Sequence, residues 1–442
     1  MSTKGSVYSF AKRAVRRSIL VRVSRASAGA ESARRNIDRE CMGSFETLRM
    51  AVAREWRKAL SVVEVEDDNT VNKTIFYTAL YHSLLVPWVI SDVDGNYRGA
   101  DHGIHRVVGR NEYDFFSPWD SYRSLHPLLT LLYPQKQSEV LQSLIDIYQQ
   151  DGHLPVESMT GNHVVSIIVD AYRKGIRGID KATAYDAMMK SLVRGPFQQD
   201  DRAVYAEKGY VPLTHPESVT RTVEYGYDDW VLGQYAGKVM GDKEIERRLE
   251  DRSVAYRHLL YTPSLLLLPR EGDSFRVRPG NSGYKEGDSW VYSYFAPQDA
   301  NGLIDRMGGD VDFSLRLDSA LTDGRLVFDN ETVLHVPYFF NAAGRWDLTR
   351  KWVEKIMKER YTDRPGGLPG NDDLGAMSSW YVFSALGFFP FCPGSPSYSP
   401  GVPLFKKAVL HLAAGKQFVV RRDEGRGGWL LNGQPFDSME LS

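Results

Sequence analysis

Apolar side chains recur along this chain at intervals of three and four residues, the spacing of one helix face. The pattern is clear in Phe45–Leu60, Thr74–Val86, Ser121–Leu132, Gln137–Gln149, His163–Lys174 and Lys181–Leu192. It resumes in Tyr225–Val239, Lys243–Leu260, Pro297–Met307, Phe313–Leu321, Val333–Ala343, Leu348–Arg360 and Met377–Leu386. Glycines stand where several of these segments end, at Gly152, Gly175, Gly241, Gly308, Gly324 and Gly344, as helix stops do. Helices of this length without alternating strands argue against a doubly wound sheet or a TIM barrel. A solenoid and a closed toroid of helical hairpins remain. No sequence unit repeats at a fixed period, which argues against the solenoid. The loops Ser91–Pro118 and Pro263–Tyr294 exceed about 15 residues, a length that is usually functional. In a helical toroid such loops gather at one end and build a cleft.

Beyond Pro393 the pattern changes. Lys407–Leu412 and Gln417–Arg421 read as strands, and Leu431-Asn432-Gly433-Gln434 as a hairpin turn. Two or three strands do not make an independent sheet, so this piece is expected to pack on the helices or on something absent. At the other end, seven Lys and Arg residues precede the first acid, Glu31. That stretch reads either as a transit-like leader or, around Ile19–Val23, as the last strand of a domain otherwise missing.

Composition narrows the function. The net charge is −1, which provides no field for nucleic acid or an anionic membrane. No run of about 18 apolar residues exists, so no membrane span is expected. Two cysteines, Cys41 and Cys392, cannot build a disulfide framework. Nine Trp and 24 Tyr suit a sugar-binding cleft, although most aromatic rings simply fill cores.

Four stretches carry candidate chemistry. Gly370-Asn371-Asp372-Asp373 places two carboxylates in a glycine-rich loop just before a helix. A helix start favours ionised carboxylates, suited to a general base or a metal ligand; the structural alternative is a simple cap. Tyr284-Lys285-Glu286-Gly287 sets a Glu among aromatics, where desolvation raises a carboxyl pKa and prepares it to donate a proton. Asn330-Glu331 opens a helix, either as a cap or as oxygen ligands for a hard cation. Trp119-Asp120-Ser121-Tyr122-Arg123 offers a ring and polar groups for sugar hydroxyls, or another cap. Glu224-Tyr225-Gly226-Tyr227-Asp228-Asp229-Trp230 has a similar composition but lies within a helix and reads as structural. No nucleophile elbow, Walker loop, dinucleotide fingerprint or zinc-binding His-Glu-x-x-His is present.

In this order, these blocks resemble the glycoside hydrolase family 92 α-mannosidases. The resemblance also takes in Thr74–His82, Ser91–Gly95 and Ser395-Pro396, and runs from near Leu20 to near Pro435. It implies a mainly α fold, an (α/α)6 toroid with a short, incomplete C-terminal β segment. It implies residues 1–45 as a basic segment and linker, 46–392 as the catalytic domain and 393–442 as the truncated β segment. The implied activity is calcium-dependent, inverting removal of terminal α-linked mannose from an α-mannoside or N-glycan. On the same footing Glu286 is the proton donor and Asp373 the base. Glu331 and Asn330 attend the Ca2+, Trp119, Asp120, Arg123 and Asn371 meet the sugar, and His82 supports the site. Such an inverting pair stands about 6.5–9.5 Å apart, leaving room for water.

The chain departs from the family pattern at Ala376, where Gln is usual, at Leu334-His335, where paired histidines are usual, and at Gln298-Asp299, where His-Asp is usual. Almost all of the family's N-terminal β-sandwich is also missing. Three readings follow: a fragment, a chain whose partner supplies the sandwich, or a non-catalytic relative that at most binds mannosides. The family often works in secretions or the periplasm, but this sequence shows no clear export signal.

Overall fold

The computed structural model describes residues 20–156, 159–193, 201–277, 281–423 and 428–436, with Ser438 and Leu441. The basic residues from Lys4 to Arg17 lie outside the described residues. Leu20–Val23, expected as a strand, is in neither strand nor helix.

Helices dominate, and they alternate between an inner and an outer layer. The outer members are α1 (Thr70–His82), α3 (Pro134–Asp151), α5 (Lys181–Val193), α7 (Lys243–Ser253), α9 (Gly309–Thr322) and α10 (Trp346–Arg360). Between them run the inner members α2 (Leu125–Leu132), α4 (Val164–Arg173), α6 (Ser218–Tyr235), α8 (Ala300–Arg306) and α11 (Ala376–Leu386). The broken run Glu331–Ala342 completes the inner layer.

Burial separates the layers as the sequence pattern requires. Every residue of α11 is buried, whereas α9 buries only Phe313, Ser314, Leu317 and Ala320, an i, i+3, i+4 stripe. The inner members α2, α4 and α6 touch in turn, α8 meets the run Glu331–Ala342, and that run's Leu334 carbonyl accepts from Trp380 of α11, which packs on both α2 and α1, the first helix of the ring. This is the (α/α)6 toroid expected from the sequence.

Several expected helices are interrupted, two of them beside the site. Ser121–Leu132 divides into Pro118–Ser121 and α2. Val333–Ala343 divides into two 3₁₀ turns, Glu331–Val333 and Val336–Tyr338, and a short α turn, Phe339–Ala342. Pro337 lacks the N–H an α-helix needs there, and short 3₁₀ pieces take over. Both interruptions fall at site-bearing segments.

The C-terminal β segment is larger than expected. It is a five-stranded antiparallel sheet, because a strand from the helical part joins it. β1 (Val63–Glu66) pairs with β2 (Lys407–His411), followed by β3 (Gln417–Asp423), β4 (Gly428–Leu431) and β5 (Gln434–Phe436). Val63 lies opposite Leu410, and both are fully buried. Phe405 meets Phe76 of α1 edge-on at 5.1 Å, and Phe418 meets Phe388 at 5.8 Å. The sheet therefore does pack on the helical ring, as a surface bearing no independent core requires.

Candidate active site

Four distant segments meet at one end of the ring. The first is the short helix Pro118–Ser121. Pro118 fixes its first turn, and Ser117 makes no cap to the backbone. The Ser117 hydroxyl instead donates to the Asp120 carboxylate, which is buried. The alternative reading of this block as a simple helix cap therefore fails.

The second is Asn330-Glu331. Asn330 is extended, and its Oδ1 accepts the Glu331 N–H at 3.0 Å. That leaves Asn330 Nδ2 free to donate to Glu286 Oε2 at 3.1 Å. Glu331 turns the other way and is fully buried.

The third is the loop before α11. Asp373, Leu374 and Gly375 all have positive φ, at 46°, 52° and 85°. Left-handed backbone is costly for non-glycine residues and recurs at functional sites. Asp372 Oδ1 accepts the Ser378 N–H at 2.9 Å, so Asp372 satisfies the helix start. Asp373 is thereby released from capping, and its Oδ2 is buried with no hydrogen-bond partner. Loop and neighbour approach closely: a Cβ on Gly370 would lie 2.0 Å from the Asp329 carbonyl oxygen.

These segments bring Asp120, Glu331 and Asp373 together. One carboxylate oxygen from each lies within 4.8 Å of the others, the only such acid group among the described residues. Both Glu331 oxygens, like Asp373 Oδ2, are buried without a donor. Burial foremost, and then the Asp373 carboxylate, push the Glu331 pKa well above its ordinary value. Burial also raises Asp120 to about 6; the Ser117 hydroxyl works against this, and Asp373 adds to it. Three crowded carboxylates of this kind need either shared protons or a cation. Oxygen-only donors suit a hard cation such as calcium, and the orphaned oxygens provide ligand positions. The residues present therefore fit such an ion.

Glu286 is the fourth element. It too has positive φ, at 46°, and its carboxylate is exposed in an open recess shared with Asp329, Asn330, Arg325 and Asn371. The aromatic shielding expected around it is not found. Tyr284 turns inward to donate to the Leu267 carbonyl, and Tyr292 to the Lys285 carbonyl. Trp290 is overlaid by the Arg316 and Arg325 guanidinium groups, at 4.7 and 4.5 Å. Asp288 caps the short helix Ser289–Tyr292. Packing thus takes the rings away from Glu286.

The remaining expected site residues divide. Asn371 lines the recess. His82 stands behind Asp372, its Nδ1 4.0 Å from Asp372 Oδ2 and 3.4 Å from Ser378 Oγ. Trp119 and Arg123 are only 1% and 5% exposed. Their polar atoms face inward: Trp119 Nε1 and Arg123 Nη2 both donate to Glu224 Oε1, at 3.1 and 3.2 Å. They stand behind the carboxylate cluster, away from the recess surface. Sequence reasoning placed Asp120 at the sugar rather than in the carboxylate cluster, and did not single out His163, which lies between Glu224 and Asp228. Glu224 and Asp228, one helical turn apart, were the signal for a buried partner between them.

With this geometry in hand, similarities to known proteins become specific. Residues 32–441 match the model of the glycosyl hydrolase family 92 catalytic domain. A curated relative, an uncharacterised secreted glycosidase of Arthroderma benhamiae, is 26% identical over 460 residues, covering 91% of this chain and 55% of that one. Among solved structures, a family GH92 α-mannosidase of Bacteroides thetaiotaomicron superposes with a TM-score of 0.87 at 29% identity. That match covers 94% of this chain and 59% of the other. A GH92 inverting mannosidase of the same bacterium gives 0.86 at 31% identity, over 94% and 63%. The chain thus spans a little over half the length of the relatives it matches.

Proposed function

This chain belongs to glycosyl hydrolase family 92, and from that premise we propose that it removes terminal α-linked mannose from α-mannosides or N-glycans with inversion. One observation carries the proposal. Asn330 and Glu331, adjacent in sequence, reach opposite ways and tie exposed Glu286 to the Asp120–Glu331–Asp373 cluster, in which Asp120 and Glu331 are buried and Asp373 half-buried. Glu286 at the recess thus sits beside a carboxylate group that can hold a cation and supply a base, the parts an inverting mechanism needs. A similar α-mannosidase was solved with mannoimidazole, which supports a mannoside as substrate.

In this reading Glu286 protonates the departing glycosidic oxygen. Its Oε2 accepts from Asn330, which orients the carboxyl toward the recess. Asp373, relieved of capping by Asp372, accepts a proton from the attacking water. Asp120, Glu331 and Asp373 would hold a calcium ion, with Asn330 at its edge. When bound, that ion supplies positive charge to sugar hydroxyls and helps stabilise an oxocarbenium-like state. Asn371 contacts the sugar from the recess. Trp119 and Arg123 support Asp120 from behind, and His82 steadies Asp372.

The test is release of mannose from an α-mannoside, with and without calcium chelation, beside Glu286→Gln. Wild type should lose activity on chelation, and Glu286→Gln should lose at least about a hundredfold in kcat. Activity indifferent to both would overturn the reading. Calcium-dependent binding of mannose without hydrolysis in wild type would instead favour the non-catalytic alternative.

A further inference from the structure

Behind the carboxylate cluster lies a second, fully internal set of charges. His163, immediately before α4, is 1% exposed. Its Nδ1 lies 2.9 Å from Asp228 Oδ1, and its Nε2 meets Glu224 Oε2. A carboxylate accepts and does not donate, so Nε2 carries the proton of its hydrogen bond to Glu224, while Nδ1 stands at ion-pair distance from Asp228. The two flanking carboxylates favour the imidazolium form of His163. Burial opposes that charge, but Asp228 and Glu224 outweigh it and raise the pKa to about 9. Tyr122 stacks on the ring at 4.2 Å. The Asn162 N–H and Arg202 hold the far oxygen of Asp228, at 2.6 and 3.6 Å.

The free oxygen of Glu224 leads toward the site. It takes the Trp119 indole N–H and an Arg123 N–H, while Arg123 Nε donates to the Trp119 carbonyl at 3.2 Å. Trp119 and Arg123 flank Asp120 in sequence. The helix carrying Asp120 has only four residues, too few to fix its own position. Arg123 also bears the positive charge that acts on both Asp120 and Glu331, against their crowding. Anchorage of Asp120 and placement of that charge thus run through Glu224.

We propose that His163 is a positioning residue for the carboxylate cluster, acting through Glu224 and the Trp119–Arg123 clamp to set where Asp120 stands. Glu224 without His163 would be a buried anion free to draw Arg123 away from the cluster. His163 bonded to Glu224 holds that carboxylate in one orientation and leaves one oxygen for the clamp. A network of this kind governs how well a cation site is preformed although none of its members ligates the ion.

The test uses the full chain as wild type, His163→Gln and Trp119→Phe. Trp119→Phe removes the indole N–H along with part of the ring and buries no new charge, so it keeps the test open if His163→Gln does not fold. Each protein is crystallised, titrated with calcium by calorimetry and assayed on an α-mannoside. In the variants, the Asp120 carboxylate is expected to leave the 4.8 Å grouping with Glu331 and Asp373. The calcium dissociation constant should rise about tenfold, and KM should rise more than kcat falls. A purely structural role predicts lower melting temperatures with cluster geometry and calcium affinity unchanged, and that result overturns the proposal. The calcium and KM arms rest on the mannosidase reading; the crystallographic arm does not. If wild type neither binds calcium nor cleaves mannoside, that reading fails, and the position of Asp120 in the variants still decides this one.

Discussion

Glu331 is a residue whose surroundings oppose its own charge. Burial and the neighbouring Asp373 raise its pKa, and no donor reaches either of its oxygens. Such a group is maintained at a cost to stability. Glu331→Gln should therefore stabilise the calcium-free protein near neutral pH by about 1–3 kcal/mol, since an amide is neutral without taking up a proton on folding. The same variant should lose the thermal response to calcium and nearly all mannosidase activity. Melting curves with chelator and with calcium check this; a destabilised chelated variant would show that Glu331 is held by contacts its environment does not reveal. Residues of this kind were legible in the sequence by type and motif. Glu286, Asn330, Glu331, Asn371 and Asp373 all reach the recess or the cluster. The environments were less legible. Whether a ring beside Glu286 shields it depends on which way Tyr284 and Tyr292 turn, and core packing decides that. Trp119 and Arg123 looked like sugar contacts because their types suit that task. Their inward orientation depends on Glu224, about a hundred residues away.

At the scale of elements, the loop Gly370–Gly375 is held by a close approach as well as by its own turns. The space above Gly370 is filled by the Asp329 carbonyl oxygen, in the segment that leads to Asn330 and Glu331. Gly370→Ala cannot fit without separating the loop that carries the proposed base Asp373 from the segment that carries Asn330 and Glu331. It should lower kcat by about a hundredfold, since displacements near 1 Å at a catalytic group cost that much. Stability should fall by only about 1–3 kcal/mol, because the helices beneath are untouched. Kinetics beside chemical denaturation separate the two effects; an unchanged kcat would show that loop spacing is not critical. Helical elements were legible because an amphipathic face repeats several times within one helix. β1 was not, because four residues of Val-Glu-Val-Glu carry little pattern, and their partner Lys407–His411 lies across the whole ring in sequence. A strand that short is defined by its pairing, which one-dimensional spacing cannot display. The breaks at Tyr122–Ser124 and around Pro337 were hidden for a related reason: apolar spacing continues across them while the backbone changes course.

For the whole molecule, the carboxylate cluster links stability, pH and calcium. Asp120 has a folded-state pKa of about 6, above the roughly 3.9 of an unfolded chain. Between those values the folded protein binds more protons than the unfolded one, so this group's contribution to stability falls as pH rises. It is complete below about pH 4 and lost above about pH 6. Glu331, also raised, acts in the same direction. Other buried groups overlie this behaviour. Glu112, raised to about 7 by burial, has the same sign, whereas His126 and His335, lowered by burial to about 4 and about 3, favour the fold as pH rises through 6.5. None of these belongs to the acid group formed by Asp120, Glu331 and Asp373. The difference between calcium-loaded and chelated protein therefore isolates the cluster. A bound cation requires its ligands ionised, so loading releases protons and tightens with pH. At a calcium concentration about 100 times the dissociation constant, stabilisation is about 2.7 kcal/mol. The calcium-induced rise in melting temperature should thus be small at pH 5 and several degrees larger at pH 7.5. Calorimetry in buffers of different ionisation enthalpy should also detect proton release at the lower pH. A calcium shift equal at both pH values, with no proton released, would mean that the ion does not sit among Asp120, Glu331 and Asp373.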